Sequence, residues 1–328
     1  MNIFKEKGAP ENGGANGQRE DYRRMTDFVQ LDALMIAYLA LTSLIYLKGG
    51  FFYPLYRLLF GLHWAVIAWV LWVRKFLQNR PSDGWSWLRW LHGWYPAILL
   101  GALYREVGVL NHIIGSRFYD DVIMAWEEWL LGETPAIWLS DWANSPLASN
   151  FFHLCYVSYY LMIPSLGFLF YFTRRFRLFQ EYNFGLMASF FFCHAWFLLF
   201  PVDGPIYYMS SYVSPELRGI FFQVAHWFAS WGDIHGGAFP SSHVAGCVFI
   251  LIYAWKKSRS WFWALLPFGL GLAVSTVYGR FHYGVDVLAG AAVGLLISWA
   301  GPLLFGYLET LQVTQGLVPQ PVFNTDRS

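Results

Sequence analysis

The chain has 328 residues, of which 56% are hydrophobic, 21% aromatic and only 13% charged, about half the charged share of a soluble globular protein. That balance excludes an ordinary water-soluble domain and points to a bilayer. A net charge of +1 without any long basic tract excludes a nucleic-acid partner as well.

The polar, Gly-rich N-terminal stretch lacks the short apolar run and small-residue cleavage site of a signal peptide, so residues 1–28 read as a flexible cytoplasmic tail. Runs of about 20 apolar residues, enough to span a bilayer as helices, then recur near 30–48, 52–73, 92–110, 148–173, 182–201, 240–256, 261–279 and 286–308. They predict an all-α, polytopic transmembrane bundle of about eight spans: N-terminal helices over 29–110, a core over 148–308, and a cytoplasmic C-terminal tail over 309–328. Between them, residues 111–147 include "SRFYDDVIMAWEEWLLGETPAIWLSDWANS". Its acids and tryptophans predict an extracytoplasmic amphipathic segment at the interface. A short buried span is the alternative. Trp-rich "WSWLRWLHGW" reads as an aromatic belt at the inner interface. Cys155, Cys193 and Cys247 fall inside apolar runs without metal or redox spacing and read as packed thiols.

Orientation follows from Lys and Arg, which concentrate in cytoplasmic loops. The tail, the loop after the second span (Arg74, Lys75, Arg80, Arg89), "RRFR" after the fourth and "KKSR" after the sixth are basic. The intervening loops carry the acids, among them Asp120, Asp121, Glu127, Glu128, Asp203 and Glu216. Both termini are therefore expected in the cytoplasm and the acidic loops outside.

Two polar motifs interrupt the apolar core. "GGAFPSSHVAG" opens the sixth span, and "GRFHYGVD" separates the seventh from the eighth. His243 and His282 stand 39 positions apart, room for one helix inward, the "KKSR" turn and one helix back, so both reach the same outer face. His282 and Asp286, four apart, share a face if they lie on a helix, and the carboxylate can then hold one imidazole nitrogen protonated while the other stays free. Pro240, Ser241 and Ser242 read as a helix entry, whose unpaired N–H groups favour an anion. Imidazoles, carboxylate, arginine and helix N-terminus together suit phosphate chemistry on a lipid.

These residues resemble the type 2 phosphatidic acid phosphatase superfamily. Its second motif, PSGH, is matched by Pro240-Ser241-Ser242-His243, and the HxxxD of its third by His282 and Asp286. The resemblance implies a six-helix core in which His282 attacks phosphorus, Asp286 orients it and His243 protonates the departing alkoxide, without metal or cofactor. Two features depart from the superfamily pattern: Thr276 stands where the third motif has arginine, and the first motif is absent, the loop reading "FPVDGPIYYM". These departures are similar to the branch of inositol phosphorylceramide and sphingomyelin synthases, which implies a phospholipid donor, a lipid alcohol acceptor such as ceramide or diacylglycerol, and transfer of a headgroup such as phosphoinositol. The alternative is a lipid phosphate or pyrophosphate phosphatase with water as acceptor; a transporter or non-catalytic scaffold is a third class.

The phosphate-binding cations are open. Arg280, one turn after Thr276, either binds phosphate with Ser241 and Ser242 or snorkels to the interface. Arg105 either replaces the missing first motif or pairs with its neighbour Glu106. Arg218 reads as solvated. Asp233 and His235 are candidates for a headgroup or for a plain turn, and His63, His92, His153, His194 and His226 read as structural or interfacial.

Overall fold

The structure is a computed structural model that describes residues 29–50, 53–78, 85–115, 117–208, 215–232 and 234–314. The two expected tails at 1–28 and beyond 314, and Asp233, lie outside the described residues. The described chain is helical, with one parallel bridge between Val202 and Gly237. In chain order the helices are α1 (Val29–Lys48), α2 (Pro54–Gln78), α3 (Ser86–Ile114), α4 (Asp120–Leu131), α5 (Pro135–Trp142), α6 (Pro146–Phe172), α7 (Phe176–Leu199), α8 (Pro205–Tyr208), α9 (Ile220–Gly232), α10 (Ser242–Lys257), α11 (Arg259–Tyr278) and α12 (Gly284–Thr314).

Seven of these, α1, α2, α3, α6, α7, α11 and α12, are long and apolar enough to cross a membrane, which makes this an integral multi-pass membrane protein. The remaining expected span is α10. Its 16 residues reach about 24 Å, less than the roughly 30 Å hydrocarbon core. Its entry is recessed relative to α12, because Ser241 packs against Gly290, six residues into that helix.

Local sequence sets the helix ends. Ser145 and Ser241 act as N-caps, their hydroxyls accepting from the N–H of Ala148 and Val244. Gly115 and Gly132 close α3 and α4 in the left-handed conformation.

At the centre, α10 packs against α6, α7, α11 and α12. Gly290 and Gly294 of α12 make its approach possible: a Cβ on either would meet the carbonyl oxygen of Ser241 or Ala245 at 2.4 or 2.6 Å. Small residues four apart let two membrane helices nearly touch, and here the contact sets Asp286's helix beside His243's. The N-terminal helices α1 and α3 lean on α7. Around the rim, Leu147, Leu161, Leu199 and Trp299 point outward, the pattern of a surface solvated by lipid tails. Helix α4, at 12 residues and so about 18 Å long, is too short to cross. It packs on α12, and α5 on α11, at the end where α11 stops and α12 starts.

Candidate active site

Helices α10 and α11 form a hairpin through Lys257–Arg259, so the start of one and the finish of the other share one end of the bundle. There His282 Nε2 lies 3.5 Å from His243 Nδ1. His282 Nδ1 is 2.9 Å from the Ala238 carbonyl oxygen, which only accepts, so the proton sits on Nδ1 and Nε2 keeps its lone pair. His243 Nε2 stands 3.3 Å from the Tyr156 hydroxyl, and its Nδ1 faces His282 Nε2. Burial pushes the His282 imidazole down to about 4, the Ala238 carbonyl partly opposing, so at neutral pH it is an uncharged base.

The His282–Asp286 contact is not the one-faced helix pair that the spacing predicts. Helix α12 begins at Gly284, so His282 precedes it. Asp286 Oδ2 instead folds back on the helix start, accepting the Tyr283 N–H at 2.8 Å and standing 3.5 Å from His282 Nδ1. Asp286 shapes the turn that presents the histidine, and the Ala238 carbonyl is its nearer partner.

The same turn corrects the expectation for Arg280. Helix α11 ends at Tyr278, and the N–H groups of Phe281 and His282 both return to the Thr276 carbonyl. Arg280 sits in the left-handed region at φ 60°, so it is not one helical turn above Thr276. Its guanidinium donates to the Ser140 hydroxyl of α5, and it does not line the cavity in front of the histidines.

A layer of loops holds this turn in place, and its anchors are acids of α4. The Asp120 carboxylate accepts the N–H groups of Asp203 and Gly204, both at 2.9 Å, and the Tyr283 hydroxyl at 3.3 Å. Glu127 Oε1 accepts the Gly284 N–H at the mouth of α12. Burial raises both carboxyls, Glu127 to about 7 with Asp286 adding to the rise and the Gly284 N–H opposing it. Gly204 packs closely here: its φ is +96° and a Cβ would lie 2.9 Å from the Phe281 carbonyl oxygen. Asp203 in turn accepts the Gly236 N–H and faces His235 Nδ1 at 3.1 Å.

A cavity of about 810 Å³ opens in front of the two histidines. Its walls come from α3, α6, α9 and the turns at 237–243 and 281–282. Along α3 it extends from Arg105 to Trp90, about 22 Å at 1.5 Å per residue, between mostly aromatic and aliphatic side chains. His243, His282, Ser242 and Arg105 line it. Arg105 is the one Lys or Arg among the described lining residues. The alternative pairing with Glu106 does not form, because Glu106 turns the other way to His63 and Tyr46. Ser241 is wholly buried and spends its hydroxyl on the helix cap and its N–H on the Asp286 carbonyl. The first-turn N–H groups of Ser242 and His243 find no acceptor among the described residues, leaving them open to an anion. His235 stands outside the cavity against Tyr207 and Phe118. Sequence reasoning missed Tyr156 and His226, both on the cavity wall, and the anchoring of Asp120 and Glu127. Among the described residues no three His, Cys, Asp or Glu side chains are placed to hold a metal ion.

Comparison with known proteins matches parts of the chain. The bacitracin transport permease protein BcrC of Bacillus licheniformis is 32% identical over 101 residues, 28% of this chain and 49% of that protein. The undecaprenyl-diphosphatase BcrC of Bacillus subtilis (strain 168) is 35% identical over 81 residues, 25% of this chain and 40% of that protein. The chain thus spans less than half the length of these curated relatives. No solved structure matches. The model of the PAP2 superfamily matches residues 121–300, more than half of the chain and a range that takes in α4, both histidines and Asp286. By that match the chain belongs to the PAP2 superfamily.

Proposed function

We propose that this protein is a membrane-embedded phosphatase that removes phosphate from a long-chain lipid phosphate or diphosphate. One observation carries the reading: an imidazole whose lone pair is held free by a carbonyl on its far nitrogen, beside a second imidazole, at the head of a long apolar cavity. A positioned nucleophile with a neighbouring acid–base group is the arrangement that phosphoryl transfer needs. The relative named an undecaprenyl-diphosphatase supports water as acceptor and a polyprenyl chain as tail.

In the first step His282 Nε2 bonds to phosphorus as the bond from phosphorus to the leaving oxygen breaks. His243, protonated on entry of the substrate, gives its proton to that oxygen. In the second step His243 takes a proton from water, the hydroxide oxygen bonds to phosphorus, and the phosphorus–Nε2 bond breaks to release phosphate and restore His282. Arg105 and the N–H groups of Ser242 and His243 face the phosphoryl oxygens as charge shifts. Headgroup transfer to a lipid alcohol, as in the synthase-like branch, follows the same steps with the alcohol in place of water. The missing arginine at Thr276 favours that second reading, and the relatives favour the first.

The test is turnover by the purified chain in mixed micelles, with polyprenyl diphosphate, polyprenyl phosphate, phosphatidic acid, and phosphatidylinositol plus ceramide or diacylglycerol. Phosphate released from a lipid phosphate, and lost in His282→Ala, is the expected result. A new phospholipid without free phosphate establishes the transferase instead. No turnover of any donor removes both.

A further inference from the structure

The cavity wall carries a histidine that belongs to neither motif. His226, on α9, lines the same space as His243 and His282. Its ring stands 5.6 Å from that of Phe281, the residue before His282. Phe281 stacks at 4.5 Å on Tyr156, whose hydroxyl meets His243. One aromatic layer therefore separates His226 from the pair.

Behind it lies His153 of α6, with ring centroids 5.8 Å apart. His153 Nδ1 donates to the Ser149 carbonyl at 2.7 Å, so its Nε2 carries a lone pair. That atom is buried and has no hydrogen-bond partner among the described residues, which is costly unless something arrives to use it. Two imidazoles in ring contact, one open to the cavity and one with a vacant acceptor, form a unit that can hold an added proton.

The cavity is also poor in cations among its described lining residues. A phosphate dianion brings up to two negative charges, and among the described lining residues Arg105 is the one Arg or Lys, with Asp203 opposing it. We infer that His226 is a second phosphate-recognising group, which takes up a proton as the lipid phosphate enters and donates a charged N–H to its oxygen, with His153 as the positioning residue behind it. This rests on the lipid-phosphate reading of the site. Burial first, then His153 and Arg218, push His226 down to about 4. It is then neutral at pH 7. An anion within about 4–6 Å reverses that balance by favouring the charged form. The groups facing this exchange are His153 from α6, Arg218 ahead of α9, Arg105 from α3, Asp203 from its loop, and His243 and His282.

The experiment uses the full chain in detergent micelles with farnesyl phosphonate, a lipid anion that is not hydrolysed, titrated by calorimetry at pH 5.5 and pH 8 in buffers of different ionisation enthalpy. Wild type is expected to gain about tenfold more affinity than His226→Gln on going from pH 8 to 5.5, and to take up more protons on binding, in line with a charged hydrogen bond. His226→Asn, compared after a thermal melt, guards against a misfolded variant. The inference is overturned if wild type and both folded variants share one pH slope and one proton uptake, if the variants lose affinity equally at both pH values, or if wild type does not bind the phosphonate. Phosphate release is measured separately on a hydrolysable lipid. A chain that binds with the expected pH dependence yet releases no phosphate keeps this role for His226 and loses the hydrolysis reading.

Discussion

Buried histidines occur in two regions of this bundle, and they are built differently. Among the N-terminal helices and where α7 meets them, His63 sits 2.7 Å from Glu106, His92 is 3.1 Å from Asp32, and His194 of α7 faces the Tyr38 hydroxyl of α1 at 3.0 Å. Their partners are carboxylates and phenols of neighbouring helices, and none of the three lines the cavity. At the end of α10 and α11, His282 gives one nitrogen to a carbonyl and turns the other toward His243 and open space. Burial and pairing alone do not distinguish a working imidazole from a tie between helices. What sets His282 apart from these three is the void in front of its ring.

That contrast can be broken most sharply at its catalytic side. His282→Ala should cost at least about 10⁴-fold in kcat, as expected for a lost nucleophile, and leave the thermal midpoint nearly unchanged. The wild-type rate should also fall as pH drops through about 4, the value to which burial pushes His282, because protonation fills the Nε2 lone pair. The opposite split is expected in the N-terminal helices. Asp32→Ala removes the carboxylate that faces His92 and accepts the Tyr95 hydroxyl and should destabilise by about 1–3 kcal/mol, while the protein that remains folded keeps its kcat. A rate loss without a stability loss there would erase the distinction between the two regions.

Arg105→Ala should raise KM by about 10- to 100-fold, the worth of about 1.5–3 kcal/mol for a charged hydrogen bond, whereas Arg280→Ala should leave KM unchanged because its guanidinium is turned to Ser140. The smallest effect is expected at Glu127, read by thermal unfolding across pH. Its carboxyl is raised from 4.5 to about 7 in the folded chain, so between those values the folded state binds more protons than the unfolded one and wild-type stability falls as pH rises. Glutamine keeps an oxygen for the Gly284 N–H and carries no titrating proton. Glu127→Gln should therefore match wild type near pH 4.5 and unfold a few degrees higher at pH 8.

Hydropathy made the helical bundle legible, since seven of the expected spans are helices of crossing length. The meeting of His243 and His282 was legible too, because two helix lengths and a basic turn fix which end they reach. The sequence was less informative wherever the backbone leaves the helix. Four-residue spacing puts His282 and Asp286 on one face only if a helix runs through both, and α12 starts between them. The same assumption failed at Arg280, whose left-handed backbone swings it toward α5. Pairings across 60 positions, such as His92 with Asp32, leave no local trace. Nor does the reach of Glu127 to Gly284 across 157 positions, which depends on where α4 packs on α12. The place of His226 was unreadable for another reason: the cavity it lines is assembled from many separate parts of the chain.

Helix α4 has a further consequence, mechanical in kind. One of its faces, Asp120, Ile123 and Glu127, is buried against the turn that presents His282, while Trp126, Trp129 and Leu130 lie exposed on the other. The buried face is tied to the turn, Asp120 accepting the Tyr283 hydroxyl and Glu127 the Gly284 N–H. Any displacement of α4 is therefore carried to the turn before α12, and the position of His282 depends on a helix that lines no part of the cavity.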